Sequence, residues 1–219
     1  MPQFTLADLE SRVLKRVDDA LLYTSAEADQ EINDGIRVAN LFTGFMQTVV
    51  PVPGFSVADQ HVYAVPAGIL IPEDVDFEGR VLQKSSLRDL SLKHRDWSRE
   101  TSLLRPVQNW APIGLNFFVI HPADRTGGGN IQVRGIAEPP ELTTGTDVIT
   151  CDDETADLVV ELAAHVLQVK EGGKPFADST RIYQDFLKKM KVKTRWTKLK
   201  MPKFFVKLRE RETREEVAV

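Results

Sequence analysis

Apolar positions recur at helical spacing at both ends of the chain and at strand-like spacing between them. Thr5 precedes Leu6, Leu9, Val13 and Val17, whose steps of three and four share one face, with Asp8 placed to close a capping box; this predicts a helix over about 6–19. After an acidic turn at Asp18-Asp19, the run Thr24-Ser-Ala-Glu27 is a second capping box. It leads into Ala28, Ile32, Ile36 and Ala39, a buried stripe on a helix reaching about 43. Gly35 inside that helix costs about 1 kcal/mol relative to Ala unless another backbone packs closely against it.

From Met46 to about Thr150, short β-branched and aromatic runs are punctuated by Pro and Gly: Gln47–Val52, Gln60–Val65, Arg80–Gln83, Gly114–His121 and Ile131–Ala137. They predict a small antiparallel sheet or sandwich. Ser85–Lys93 reads as a short helix inside it, and Asp96-Trp97 as a plug for one end. Asp152 or Asp153 caps a third helix carrying Ala156, Val159, Val160, Ala163 and Leu167, which Gly172-Gly173 stops. A fourth runs from near Pro175 through Ile182, Phe186 and Met190. Neither helix pair hides its apolar stripe alone, so the expected fold is α+β. It comprises a four-helix bundle formed by the N- and C-terminal helix pairs (1–45 and 151–191), an inserted antiparallel β domain (46–150), and an extended basic C-terminal arm (192–219).

Charge sharpens this division. Residues 181–219 hold 13 Lys and Arg against 5 Asp and Glu, while residues 1–180 hold 15 against 27. In the arm the cations alternate with Trp196, Leu199, Met201, Phe204, Phe205, Val206 and Leu208, a mixture too apolar for a purely solvated tail. Pro202 breaks any continuous helix there, so the arm is expected to be extended, followed by a short helix with Glu210–Arg214 or Arg211–Glu215 pairs. Aromatic and aliphatic anchors among cations match the chemistry of protein interfaces. The expected anchors are Trp196, Phe204, Phe205 and Leu208, with Arg195, Lys198, Lys200 and Arg209 pairing to an acidic partner surface. A nucleic-acid contact driven by phosphate neutralisation remains the alternative reading.

The rest of the chain points away from catalysis. With 219 residues and 42% apolar content the chain can form a core without metal or disulfide. Its single Cys151 excludes an internal disulfide and fits synthesis in a reducing cytoplasm. No apolar run approaches the roughly 20 residues of a membrane span, and the start lacks a signal-peptide pattern. Thr126-Gly-Gly-Gly-Asn130 lacks the Lys-Ser/Thr of a phosphate loop and reads as a hairpin turn. His61, His94, His121 and His165 lack metal-ligand spacing, and Asp152-Asp153-Glu154 is explained by helix capping. No nucleophile stands in a recognisable context. No catalytic residue, cofactor or metal site is therefore expected.

The layout resembles the head-to-tail connector (adaptor, or neck) proteins of tailed bacteriophages. The resemblance is carried by Leu6-Ala-Asp-Leu9-Glu-Ser-Arg-Val13, Val17-Asp-Asp19 and Tyr23-Thr-Ser-Ala-Glu27 leading into Ile32-Asn-Asp-Gly35. It continues in Ser86-Leu-Arg-Asp-Leu90 ahead of Trp97, in His121-Pro-Ala123, and in Glu138-Pro-Pro140 with Leu142. It covers most of residues 5–190. The resemblance implies a structural virion protein in the neck between capsid and tail, assembled in the host cytoplasm. Its copies would form a homo-oligomeric ring, usually a dodecamer, below the portal protein. The ring would extend the channel through which genome DNA passes without sequence-specific binding, and would present a platform for the next tail or neck protein. The arm would lie against the portal. A nucleic-acid binding module with a basic tail, or another neck component such as a tail terminator, are the alternatives.

Overall fold

The computed structural model describes residues 2–17, 22–93, 96–99, 101–102, 106–171 and 173–200. They form two compact units: a helical unit from 1–45 and 139–219, and a β-rich unit from 46–138.

Four helices of the helical unit are α1 (Leu6–Leu14), α2 (Ser25–Thr43), α4 (Asp153–Glu171) and α5 (Gly173–Lys200). Both predicted capping boxes form. The Thr5 hydroxyl accepts from Asp8 N (3.1 Å) and the Thr24 hydroxyl from Glu27 N (3.3 Å), while each carboxylate accepts from the cap residue's own N–H. The apolar stripes of α1, α2 and α4 are buried where the periodicity placed them, as are Phe186 and Met190 of α5. α1 ends at Leu14, short of the expected 19. A two-stranded antiparallel ribbon of β1 (Gln3–Thr5) and β12 (Val148–Thr150) anchors the chain start. Gly35 has the close neighbour its position required: a Cβ there would lie 3.2 Å from the Val159 carbonyl oxygen, so its absence lets α2 approach α4.

The expected four-helix bundle is not what forms. The chain has five helices in described residues, one of them, α3 (Leu87–Lys93), in the β unit, and the others are separated in sequence by that large β unit. The other four pack unevenly. α1, α2 and α5 each pack on α4, α1 also touches α2, and α2 touches α5, but α1 and α5 share no substantial contact among the described residues. The cause lies in α4, whose Leu158, Val159, Val160, Ala163, Ala164 and Leu167 are all buried. A helix apolar on several faces becomes a hub, whereas a bundle needs one stripe per helix. The expectation of an extended arm from 192 is also corrected, because α5 continues to Lys200. The remaining arm residues lie outside the described ones.

The β unit contains two four-stranded sheets. One has the order β2–β11–β4–β5, with β2 Gln47–Pro51, β4 Ile69–Phe77, β5 Arg80–Val81 and β11 Ile131–Ala137, all antiparallel. The other has the order β3–β9–β8–β6, with β3 Val62–Ala64, β6 Gln83–Lys84, β8 Asn109–Ile113 and β9 Phe117–His121. Their shared core holds Val75, Ile131 and Val133 from the first sheet, and Tyr63, Trp110, Phe118 and Ile120 from the second. The unit is mixed, not purely antiparallel as expected: β6 runs parallel to β8, and β7 (Thr101–Ser102) parallel to β10 (Ala123–Asp124). Strands β4 and β8 were not anticipated, since Pro72, Glu73 and Asp74 in β4 and Pro112 in β8 interrupt the β-branched signal. Helix α3 packs Leu90 onto Ala111 and Val119 of the second sheet.

Beyond the β unit the chain returns through a polar turn. Asp147 accepts hydrogen bonds from Thr144 N (2.8 Å), the Thr144 hydroxyl (2.7 Å) and Thr143 N (2.7 Å). These donors favour the charged carboxylate and pull its pKa down to about 2. The folded value lies below the unfolded one, so the turn's contribution to stability is present above the ordinary aspartate pKa of roughly 3.9 and fades as pH falls toward 2. A carboxyl-carbon NMR titration should place the Asp147 midpoint near that low value; an ordinary midpoint would mean that the turn is not formed in solution.

Candidate protein-docking site

The chemistry-bearing motifs of the sequence resolve into structural roles. The N–H groups of the Thr126–Asn130 loop are used internally: Thr126 N donates to Asp124, Gly128 N to Ser56 O and Gly129 N to the Ser56 hydroxyl (2.7 Å). The loop folds onto Ser56 and is not a hairpin, because β10 and β11 pair with other strands. His61 is buried edge-on against Trp97, and His165 stacks on Tyr183 with ring centroids 4.7 Å apart. Burial lowers the His165 pKa despite its hydrogen bond with Ser179. His121 is buried in β9, and His94 lies outside the described residues. Among the described residues no group of three or more His, Cys, Asp or Glu could hold a metal ion. Asp152 caps α4 by accepting from Thr155 N at 2.8 Å. Cys151 is buried, and burial beside Asp152 and Asp153 pushes its thiol up to about 11.

Of the expected arm anchors, Arg195, Trp196, Lys198 and Lys200 have their backbones in the last turns of α5. Phe204, Phe205, Leu208 and Arg209 lie outside the described residues. The base of the arm is fixed. Lys193 forms ion pairs with Asp152 and Glu154, and the Thr194 hydroxyl reaches Phe42 O at 3.5 Å. Burial alone would lower the Lys193 pKa, but the two carboxylates outweigh it and the net direction is upward.

The sequence did not reveal a groove beside this base. α4 is antiparallel to α5, as Lys193–Asp152 at one end and His165–Ser179 toward the other require. α2 is antiparallel to α4 as well, so α2 and α5 run in the same direction on either side of it. Between them lies a slot of about 490 Å³, floored by Leu162 and Val166 and walled by Val38, Phe42, Tyr183 and Leu187. Phe42 is 55% exposed, Leu187 46% and Tyr183 38%. Large apolar side chains open to water along one groove are the usual mark of a docking surface. Glu31 and Asp34 also line it, Glu31 being paired with Lys170 at 2.7 Å. The missed signal was a second apolar face on α4, with Leu162 and Val166 offset from the stripe that the period picked out.

A family model for the SU10 adaptor protein matches residues 4–200, nearly all of the chain. The chain belongs to the SU10 adaptor family. This is a family of phage head-to-tail adaptors, structural proteins of the virion neck, so the adaptor reading of the sequence holds. The match begins in β1 and runs to the end of α5, spanning both units of the adaptor. A comparison with curated proteins finds no match. No helix among the adaptor's described residues is long and apolar enough to cross a membrane.

Proposed function

We propose that this adaptor assembles as a ring, of twelve copies, below the portal protein, extends the DNA channel there, and offers its far side to the next tail or neck protein. The family match over residues 4–200 is the observation that carries this reading. Ring assembly needs two different contact faces on each copy and no catalytic centre; the helical unit and the β unit supply separate surfaces. The excess of acidic residues in 1–180 favours a channel that repels the phosphate backbone, so that DNA slides without sticking. The assembly is completed in the host cytoplasm and resides in the neck of the virion.

The arm grips the portal in this proposal. Trp196, Phe204, Phe205 and Leu208 supply apolar anchors, and Arg195, Lys198, Lys200 and Arg209 pair with acidic groups on the partner. Native mass measurement of a mixture with the cognate portal should give one discrete complex with many adaptor copies. A chain ending at Lys200 is the better truncation than one ending near 192, because it keeps Lys193 on Asp152 and Glu154. That shortened chain keeps Arg195, Trp196, Lys198 and Lys200 but loses Phe204, Phe205, Leu208 and Arg209, so it should stay folded and attach much more weakly. Unimpaired attachment would defeat the arm assignment, and tight DNA binding that weakens steeply with salt would favour a nucleic-acid module instead.

A further inference from the structure

We infer that the tip of the β8–β9 hairpin of one copy seats in the groove between α2 and α5 of the next copy, a contact that rests on the ring proposed for this adaptor and names its two faces. The groove is a slot of about 490 Å³ whose apolar walls, Phe42, Tyr183 and Leu187, face water among the described residues. The hairpin tip is its convex counterpart. Residues 111–120 carry no charge in a chain with 27% charged residues, yet Leu115 is 70% exposed and Phe117 48%. Uncharged apolar side chains gathered at a water-facing turn are accounted for when another surface covers them.

The tip is fastened in place. Gly114 turns the chain with φ 60°, and Ile113 pairs with Phe117 across the hairpin. On its other side Phe117 pairs with Ala64 of β3, while Val65 N donates to Asn116 O at 2.8 Å. A turn tied to a third strand loses little freedom when it docks. Leu115 and Phe117 are two residues apart, a span of at most about 7 Å, and Leu187 and Tyr183 stand one turn apart along the groove wall, about 6 Å. Two apolar knobs therefore meet two neighbouring wall positions. The slot is also lined by the uncharged Val38, Leu41, Leu162 and Val166, so a neutral hairpin enters it without bringing a charge out of water.

The occupant is a second copy because one chain carries both halves of the contact. A head-to-tail neighbour covers tip and groove with a single repeated interface, whereas a different partner in the groove would leave the tip in water. The area agrees with this assignment. At their observed exposures, Phe42, Tyr183, Leu187, Leu115 and Phe117 together present on the order of 500 Å², well under the roughly 1,200 Å² of a stable interface. Two free copies therefore part readily. The contact closes between neighbours held side by side, where the local concentration is high.

Two full-length single variants, Leu115→Cys and Leu187→Cys, test the pairing when mixed in equal amounts. Cys151 stays out of the reaction because it is buried with its thiol pushed up to about 11. Under mild oxidation at about 1 mM, the local concentration typical of tethered neighbours, the mixed dimer should form about tenfold faster than from Leu92→Cys with Leu187→Cys. Leu92 is a fair control, since at 74% it is as exposed as Leu115. Equal rates for the two mixtures would overturn the docking. Faster dimers from Leu187→Cys alone would also overturn it, because they assign the groove to a two-fold contact. Adding Phe42→Asp, a change at a half-exposed site, to the Leu187→Cys chain should abolish the advantage; an advantage that survives would remove the groove from the contact. The ring is judged separately by the mass of the portal complex. Many adaptor copies per complex together with equal cross-linking rates would keep the ring and discard these faces.

Discussion

Replacing Arg16 and Lys189 together by Met should destabilise the helical unit by about 3–5 kcal/mol, seen as a lower urea midpoint. Glu161 sits on α4 with only 2% of its surface exposed. Its Oε1 receives Arg16 at 3.4 Å from beyond the end of α1, and Lys189 from α5, while Oε2 has no hydrogen-bond partner among the described residues. The two cations are about half exposed, with side-chain values of 46% and 48%. Removing them strands a buried carboxylate, whereas removing the carboxylate returns two hydrated cations to water. The effects should therefore be unequal. Glu161→Leu, close in volume and apolar, should cost less than about 1.5 kcal/mol. Equal losses for the two variants would refute this account of the cluster.

Gly135→Ala should cost the β unit about 3 kcal/mol, at the upper end of what overpacking produces. Gly135 lies in β11, where the register with β4 shifts between Arg134 and Gly135. A Cβ there would overlap the Ile71 carbonyl oxygen and crowd the Ile69 side chain at 2.8 Å. The obstacle is the backbone of a paired strand in the middle of the sheet, so no side-chain rotation relieves it. Gly114→Ala makes the control. That glycine has φ 60° with no atom within 4 Å of an added Cβ, so only the left-handed backbone penalises alanine, by about 1–2 kcal/mol. Thermal unfolding of the two variants measures the difference, and a Gly135→Ala protein as stable as the control would contradict the close approach.

Local signals were legible wherever chemistry acts over one or two turns. The capping boxes at Thr5 and Thr24, the stripes Leu6–Leu9–Val13 and Ala28–Ile32–Ile36, and the strand Ile131–Ala137 need only neighbouring residues to declare themselves. β4 was illegible because its buried positions, Ile69, Pro72 and Val75, fall at every third residue instead of every second, with Glu73 and Asp74 among them, and pairing with β11 supplies what propensity does not. α5 was read too short. The residues from 192 onward read as an extended docking arm in isolation, yet Lys193 meets Asp152 and Glu154 across the unit and holds the helix in place. The groove was invisible for a similar reason: Phe42, Leu162 and Leu187 are far apart along the chain, and only packing on α4 brings them to one slot.

The sequence by itself determined the division into a helical unit and a β-rich unit, the helix starts, the charged arm and, through its overall layout, the adaptor family. Those properties follow from residue type and short spacing, which act before any distant contact forms. The tertiary structure decided that α4 is a hub and not one member of a four-helix bundle, that Glu161 is buried between two cations, and that α2 and α5 leave an apolar slot between them. Each depends on which faces meet, and a helix that is apolar on more than one face does not specify its neighbours until the whole unit packs.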